Sequence, residues 1–306
     1  MDYRRLGNSG LKVSAVGLGC NNFGMRIDAA ATERVVDAAL DAGINFFDTA
    51  DIYGSTQSEV FLGRALAHRR REAIVATKFG MAVDDKRRGA RPEYVRRAAD
   101  DSLERLGLDV IDLYQLHQPD PDVPIADTLG AMNDLVKAGK VREIGCSNFS
   151  AEQLDDASRA VGTGAARFVS LQNEYSLLHR QPESSVLPSC QRLGLAFLPY
   201  FPLASGLLTG KYEPGKAPPA NSRLSLQWTS RFTTEKNVRI AEALKAFAAS
   251  RGHTLLELAM SWLAARPPVA SVIAGATSPE QVRANAAAVN WTLTPQELAE
   301  IDRLAP

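Results

Sequence analysis

The stretch GLGCNNFG, residues 17–24, follows the first candidate strand and decides between two arrangements of everything after it. Throughout the chain, short β-rich runs alternate with longer runs of helical period. Such alternation builds a parallel sheet, either open or rolled into a barrel. An open, doubly wound sheet would carry a glycine-rich phosphate loop after its first strand. GLGCNNFG is only a loose echo of that loop, and no helix N-terminus follows it directly. The strand candidates are Val16–Gly19, Ile44–Asp48, Ala73–Lys78, Val110–His117, Glu143–Ser147, Val169–Asn173, Ala196–Tyr200 and Ser271–Ala274. Eight is the number that closes a (β/α)8 barrel. The predicted fold is therefore an α/β (β/α)8 TIM barrel, with residues 1–306 forming one domain.

The helical stretches support this reading. Thr32–Ala42 places Val35, Val36, Ala39 and Leu40 on one face before Gly43 stops it. Pro92 suits the first turn of a helix over Pro92–Leu106, and Val95, Ala99, Leu103 and Leu106 recur at helical spacing. Ile125–Ala138, Ala151–Ala160, Pro182–Leu193, Thr234–Ser250, Thr254–Ala265 and Pro295–Leu304 continue the series. Two features break the repeat. Before the first strand, Asn8-Ser9-Gly10 sits between two β-capable arms, which predicts an N-terminal hairpin suited to capping one barrel end. Residues Pro202–Phe232 form a long Gly-, Pro- and Ser-rich connection, and loops of that length are usually functional or disordered.

Composition narrows the function. The chain is 45% hydrophobic and 23% charged, with 35 basic and 35 acidic residues, so no overall field favours nucleic acid or an anionic membrane. The run His68-Arg69-Arg70-Arg71 reads better as the solvated, positive end of a helix. Cys20, Cys146 and Cys190 show no CxxC spacing, which argues against a zinc site or a disulfide framework and fits a reducing cytoplasm. No metal site is expected. No apolar run of about 18 residues exists to insert in a membrane.

Barrel enzymes place their chemistry at the C-terminal ends of the strands. Asp48, Lys78 and His117 fall at such ends, and Tyr53 follows in the loop after the second strand. Singly, each has a plain structural reading: a helix cap, a strand-end charge, a core histidine. Together they offer an acid, a cation to tune it, a carboxylate to hold the cation, and an imidazole. A free phenol has a pKa near 10, so it donates poorly at neutral pH unless an ammonium stabilises its anion. The imidazole then orients the substrate oxygen. Side chains hold no hydride, so a reductase built this way borrows one from a cofactor.

DTADIYG (48–54), Lys78 in IVATKFG and His117 in LYQLHQP resemble the Asp, Tyr, Lys and His motifs of the aldo-keto reductase superfamily. The resemblance extends from the YRRLGNSGLKVS hairpin through VREIGCSNFS, LQNEYS and YFPLASGLLTGKY to VIAGATSPEQVRAN, all in family order. It includes the branch that contains the potassium-channel beta subunits. The resemblance implies Tyr53 as general acid and base, Lys78 and Asp48 lowering its pKa, and His117 orienting the carbonyl. It implies NADPH as the cofactor, with NADH possible. Ser147, Asn148 and Gln172 would bind the nicotinamide carboxamide, and Tyr200 would stack under the ring. Gly19, Cys20, Asn21 and Asp48 would line the same site. Phe201, Pro202, Leu203, Ser205, Gly206, Leu207 and Lys211 would follow the diphosphate. Gly275, Ala276, Thr277, Gln281, Asn285 and Arg223 would hold the adenosine end and its 2′-phosphate.

Many members place Lys at the position of Gly275 and Arg at that of Gln281, and some an acidic residue at that of Ala284. Fewer charges there weaken the expected discrimination against NADH. Asn22, Phe23, Phe79, Met81 and Trp228 are candidates for the substrate pocket because they lie in loops at the same rim. The chain ends at Pro306 directly after its last helix, which suggests an open pocket, and begins its hairpin at Tyr3 without a channel-inactivating extension. Cys20 and Cys146 near strand ends are either oxidation-sensitive or buried and inert. The resulting expectation is a cytoplasmic carbonyl reductase, monomeric or homo-oligomeric, with a small-molecule substrate. A docking subunit of the channel-beta type is the alternative.

Overall fold

The structure is a computed structural model and describes residues 1–212, 216 and 222–306, with the side chain of Trp228 outside the described set. An antiparallel hairpin, β1 (Tyr3–Arg5) and β2 (Lys12–Ser14), leads into eight parallel strands. These are β3 (Val16–Gly19), β4 (Phe46–Asp48), β5 (Ile74–Phe79), β6 (Ile111–Leu116), β7 (Val141–Ser147), β8 (Phe168–Glu174), β9 (Ala196–Tyr200) and β10 (Val272–Gly275). From β3 to β9 each strand pairs with the next in sequence, and β10 pairs with β3. The last seam closes by single bonds: the Phe197 N–H donates to Pro268 O at 3.0 Å and the Ala270 N–H to Phe197 O at 3.1 Å. The chain forms the expected (β/α)8 barrel.

Helices wrap the outside: α1 (Ala29–Asp41), α2 (Gln57–Leu66), α3 (Pro92–Leu106), α4 (Ile125–Lys137), α5 (Ala151–Ala160), α6 (Val186–Leu193), α7 (Glu235–Ala249), α8 (Leu255–Ala264), α9 (Pro279–Ala287) and α10 (Pro295–Leu304). Several boundaries move from the sequence reading for local reasons. Asp28 caps α1 by accepting from the Ala31 N–H, so the helix begins three residues before Thr32. Ile44 and Asn45 stay outside β4 because Asn45 is bonded to the hairpin. Its Oδ1 accepts from the Ser14 N–H at 2.7 Å and its Nδ2 donates to Lys12 O at 3.0 Å. The single helix expected over Pro182–Leu193 is a 3-10 turn, Gln181–Ser184, followed by α6. Glu183 in that turn is drawn to Arg180 and Tyr175. Helix α2 was anticipated only through the basic run read as a helix end, and its range was not among the expected helices. The basic run beyond it is paired with carboxylates: Arg69 bonds Asp41 and Glu72, and Arg70 bonds Asp112 at 2.7 Å.

Leu6 and Val13 of the hairpin are fully buried in one interior cluster with Phe46, Ala76, Leu113, Ala196, Leu198 and Ile273. The hairpin thus plugs the N-terminal end of the barrel with side chains, leaving the C-terminal end as the mouth. Gly17 belongs to the same packing: a Cβ there would stand 2.7 Å from Ile273 Cδ1 and 2.9 Å from Phe46 Cδ1. The larger apolar cluster lies between strands and helices. No helix among the described residues is long and apolar enough to cross a membrane.

Candidate active site

Side chains on a strand alternate between faces, so residues two apart share the barrel interior. Phe46, Ala76 and Leu113 lie in the interior cluster. Two positions further toward the mouth come Asp48, Lys78 and Gln115, and Lys78 is in register with Gln115. The apolar interior therefore gives way to a polar layer one step from the mouth. Lys78 is fully buried and Asp48 is 3% exposed. Lys78 Nζ donates to Asp48 Oδ2 at 2.6 Å and to Thr49 O at 2.9 Å, and approaches the Tyr53 hydroxyl at 3.5 Å. The other carboxylate oxygen, Oδ1, accepts from Gln172 Nε2 at 2.9 Å and Gln115 Nε2 at 3.2 Å. Burying this ion pair costs desolvation energy, which these donors offset.

Tyr53 stands on the loop after β4, its N–H donating to Ala50 O at 3.2 Å. Its ring meets His117 edge-on, with centroids 5.8 Å apart and planes at 82°. Lys78 Nζ is 5.0 Å from the Tyr53 centroid. Burial raises the phenol above its ordinary pKa. Lys78 acts against that shift without overcoming it, and Asp48 adds to it. The net depression expected from sequence is therefore not what this geometry gives. Burial works to discharge Lys78, but Asp48 and Tyr53 outweigh it and hold the ammonium above its ordinary pKa. Burial, followed by Lys78, pushes the His117 imidazole down to about 3, so it is neutral at physiological pH. Its Nδ1 is buried with no hydrogen-bond partner among the described residues.

Around this centre the structure gathers several residues that the sequence singled out. Ser147 is in register with Gln172, and its Oγ donates to Gln172 O at 2.6 Å. Asn148 adopts a left-handed backbone (φ 63). Its Nδ2 donates to His117 O at 2.8 Å, and its Oδ1 accepts from the Tyr200 hydroxyl at 2.8 Å. Tyr200 ends β9 and packs edge-on against Phe201, with centroids 5.2 Å apart.

The following loop is strained. Phe201, Ala204 and Ser205 all carry positive φ (51, 45 and 56), and Gly206 reaches 105. Non-glycine residues pay roughly 1–3 kcal/mol each for such conformations, and turns of this kind form concavities of N–H groups that attract anions. Pro202 and Leu207 are buried, and Leu203 is half-buried. Ser205 is buried too, and its Oγ is without a partner among the described residues. Lys211 is exposed, its Nζ 5.2 Å from the Tyr212 centroid.

Arg223 reaches across the mouth. Its Nη1 donates to Asn21 Oδ1 at 3.2 Å and its guanidinium lies 5.2 Å from the Phe201 ring centre. Burial, then Arg26, lower its pKa to about 10, with Tyr53 opposing. Gly19 and Gly275 are opposite one another in the β3–β10 pairing, and a Cβ on Gly275 would stand 3.2 Å from Asn22 Nδ2. Thr277 and Gln281 meet at the start of α9, where the Thr277 N–H donates to Gln281 Oε1 at 2.9 Å. Ala276 and Asn285 are buried beside them, and Ala284 is exposed.

The residues suggested for a substrate pocket separate. Asn22 is 3% exposed, with Nδ2 donating to Ala276 O at 3.2 Å and Oδ1 unpartnered among the described residues. Met81 is half-buried. Phe23 and Phe79 are fully buried in the outer core, Phe79 stacked on Tyr114 at 4.7 Å. The Trp228 side chain lies outside the described residues. Cys20 and Cys146 are fully buried, and burial lifts both thiols well above their ordinary range. That favours the inert reading. Sequence reasoning missed Gln115, although its place two residues before His117, on the face of Leu113, is a usable signal.

A plugged (β/α)8 barrel whose one mouth carries a buried Lys–Asp pair, a tyrosine and a neutral histidine has the layout of a barrel enzyme. Comparison with known sequences makes the class specific. Residues 15–306 match the aldo/keto reductase family, and the chain belongs to this family of oxidoreductases. It is 35% identical over 317 residues to a rice protein (Oryza sativa subsp. japonica) described as a probable voltage-gated potassium channel subunit beta, covering 99% of this chain and 96% of that one. An Arabidopsis thaliana protein of the same description is 35% identical over 324 residues, at the same coverage.

Proposed function

We propose that the protein is an NADPH-dependent reductase of aldehydes, ketones or sugar-type carbonyls, reversible toward alcohol oxidation. The observation that carries this reading is the line Asp48–Lys78–Tyr53 beside a neutral His117 at the barrel mouth. The nicotinamide cofactor, when bound, supplies the hydride. Tyr53 gives its hydroxyl proton to the carbonyl oxygen, and Lys78 stabilises the phenolate that remains. Asp48 keeps Lys78 charged and fixed, while the neutral His117 orients the carbonyl by hydrogen bonding. In the oxidative direction the phenolate takes the proton back.

The residues present fit such a cofactor. Ser205 Oγ and Asn22 Oδ1 are buried polar atoms without partners among the described residues, and the left-handed turns at Phe201, Ala204 and Ser205 suit a diphosphate. In this reading Ser147, Asn148 and Gln172 take the carboxamide, Tyr200 packs under the ring, and Gly275 leaves the β3–β10 edge open. Arg223, Thr277 and Gln281 take the 2′-phosphate, and the α9 N-terminus adds its attraction for an anion. With Gly275 and Gln281 uncharged, NADH remains a usable second cofactor.

The description of the two plant relatives favours one second reading, a cofactor-binding, partner-docking subunit with little turnover. One experiment separates the two. Purified protein is titrated with NADPH and with NADH and then given a panel of carbonyl compounds, with oxidation followed by absorbance. Turnover supports the reductase, binding without turnover on any compound supports the docking subunit, and failure to bind either nicotinamide nucleotide sinks both. Tyr53→Phe is expected to lower turnover by about 10²–10⁴-fold with NADPH affinity nearly unchanged. A fully active Tyr53→Phe protein would overturn the acid assignment.

A further inference from the structure

We propose that Gln115 is a positioning residue that keeps hold of the Asp48 carboxylate when Gln172 leaves it for the cofactor's carboxamide. The inference rests on the carboxamide role of Gln172 given above and adds the residue that makes this role affordable. Both amides now donate to the same oxygen, Asp48 Oδ1, Gln172 at 2.9 Å and Gln115 at 3.2 Å. They differ in what surrounds them. Gln172 is in register with Ser147, at the edge of the mouth, beside the residues expected to meet the carboxamide. Gln115 lies deeper, in register with Lys78 on one side and Gly145 on the other.

Three observations mark the Gln115 seat as built for its N–H group. Gln115 is fully buried, and its Oε1 has no partner among the described residues, so the amide is kept there for its donor end. The reverse orientation would set a carbonyl oxygen against a carboxylate, so the donor assignment follows from charge. Across from it stands Gly145, where a Cβ would come within 2.5 Å of Ser170 Oγ and 3.3 Å of Gln115 Cγ. The room left by Gly145 is taken mainly by Ser170, and it lets the Gln115 stem lie close against the β7 backbone. A carboxylate oxygen stripped of its donors inside a protein is costly. With Gln115 in place, Gln172 can turn away without stranding Oδ1, and Asp48 Oδ2 stays aimed at Lys78.

The test compares two ligands that differ only in the part Gln172 would contact. Dissociation constants for NADP+ and for 2′-phospho-ADP-ribose, which lacks the nicotinamide, are measured by calorimetry in wild type and Gln115→Leu. The variant is expected to bind NADP+ about tenfold more weakly, with the fragment unchanged. In an Asp48→Asn background the same replacement should have no such effect, since no charge is left to strand. Gln115→Met, of similar length and without a donor, serves where Gln115→Leu does not fold. A folded Gln115 variant that keeps the wild-type ratio between the two ligands, or loses both equally, overturns the inference while leaving the proposed function standing. Wild-type protein that binds neither ligand overturns the proposed function first.

Discussion

Asp48 and Asp51 are neighbours in sequence, both buried, and held in opposite ways. Asp48 points into the barrel and accepts from a lysine and two glutamines. Asp51, 2% exposed, belongs to the layer where α2 and α3 pack on the barrel. Its Oδ2 is 3.5 Å from the Tyr94 hydroxyl, and its Oδ1 has no partner among the described residues. It also feels Glu59, a second buried carboxylate whose charge is matched by Arg105 Nε at 2.6 Å and Thr77 Oγ1 at 2.5 Å. Burial, then Glu59, raise Asp51 from 3.8 to about 7, with Arg105 and Tyr94 opposing. Burial is common to both aspartates. The donors available on each face of the strand wall separate them.

Removing the partner of the well-held aspartate should have the largest effect. Lys78→Met leaves Asp48 as a buried charge without its cation, which costs about 3–5 kcal/mol in stability. If the protein turns over as proposed, the same change should remove most of that activity. Urea unfolding of variant and wild type checks the first effect, and unchanged stability would break the contrast between the two sites. The next effect belongs to Asp51 and has the opposite sign. Its folded pKa lies above its unfolded value, so the folded state keeps a proton that the unfolded chain releases. The contribution of Asp51 to stability is thus expected to fall as pH rises from about 4 to about 7 and to stay lower above that. Asp51→Asn should remove this slope, gaining about 2–4 kcal/mol near pH 8 and little near pH 4. Thermal melts across that range are the measurement, and parallel curves for the two proteins would sink the assignment. The smallest effect sets the scale. Asp100 pairs with Lys140 at 2.5 Å, but their side chains are 54% and 43% exposed. Asp100→Asn should change stability by about 0.5 kcal/mol or less at any of these pH values.

Most of the barrel was legible because its signal is periodic: apolar runs ending in Asp48, Lys78 and just before His117, separated by helical stripes. Helix α2 was legible only at its basic end: Thr56 and Glu59 have capping-box spacing, but Ser55 and Thr56 are left-handed and Thr56 makes no side-chain cap bond. Asp48, Tyr53, Lys78 and His117 were singled out because their types suit one proposed chemistry, and the structure brings them together at the mouth. What distance in sequence conceals is the support beneath them. Gln115, Gln172 and Asp48 come from three strands and converge only when the barrel closes. Phe23 and Phe79 were sought at the rim because of the loops they adjoin. Phe79 follows the inward Lys78, so alternation turns it outward into the helix layer.

The parallel seam between β3 and β10 also bears on how the protein is made. Val16 pairs with Val272 and Gly19 with Gly275, so the first barrel strand to leave the ribosome must wait for the last. The plug formed by Leu6 and Val13 has the same dependence, since Ala270 and Ile273 help to enclose it. A chain made only as far as β9 lacks the partner of β3 on this side, and unpaired edges of that kind invite pairing with other chains. Exposure of that edge therefore lasts until β10 emerges to cover it.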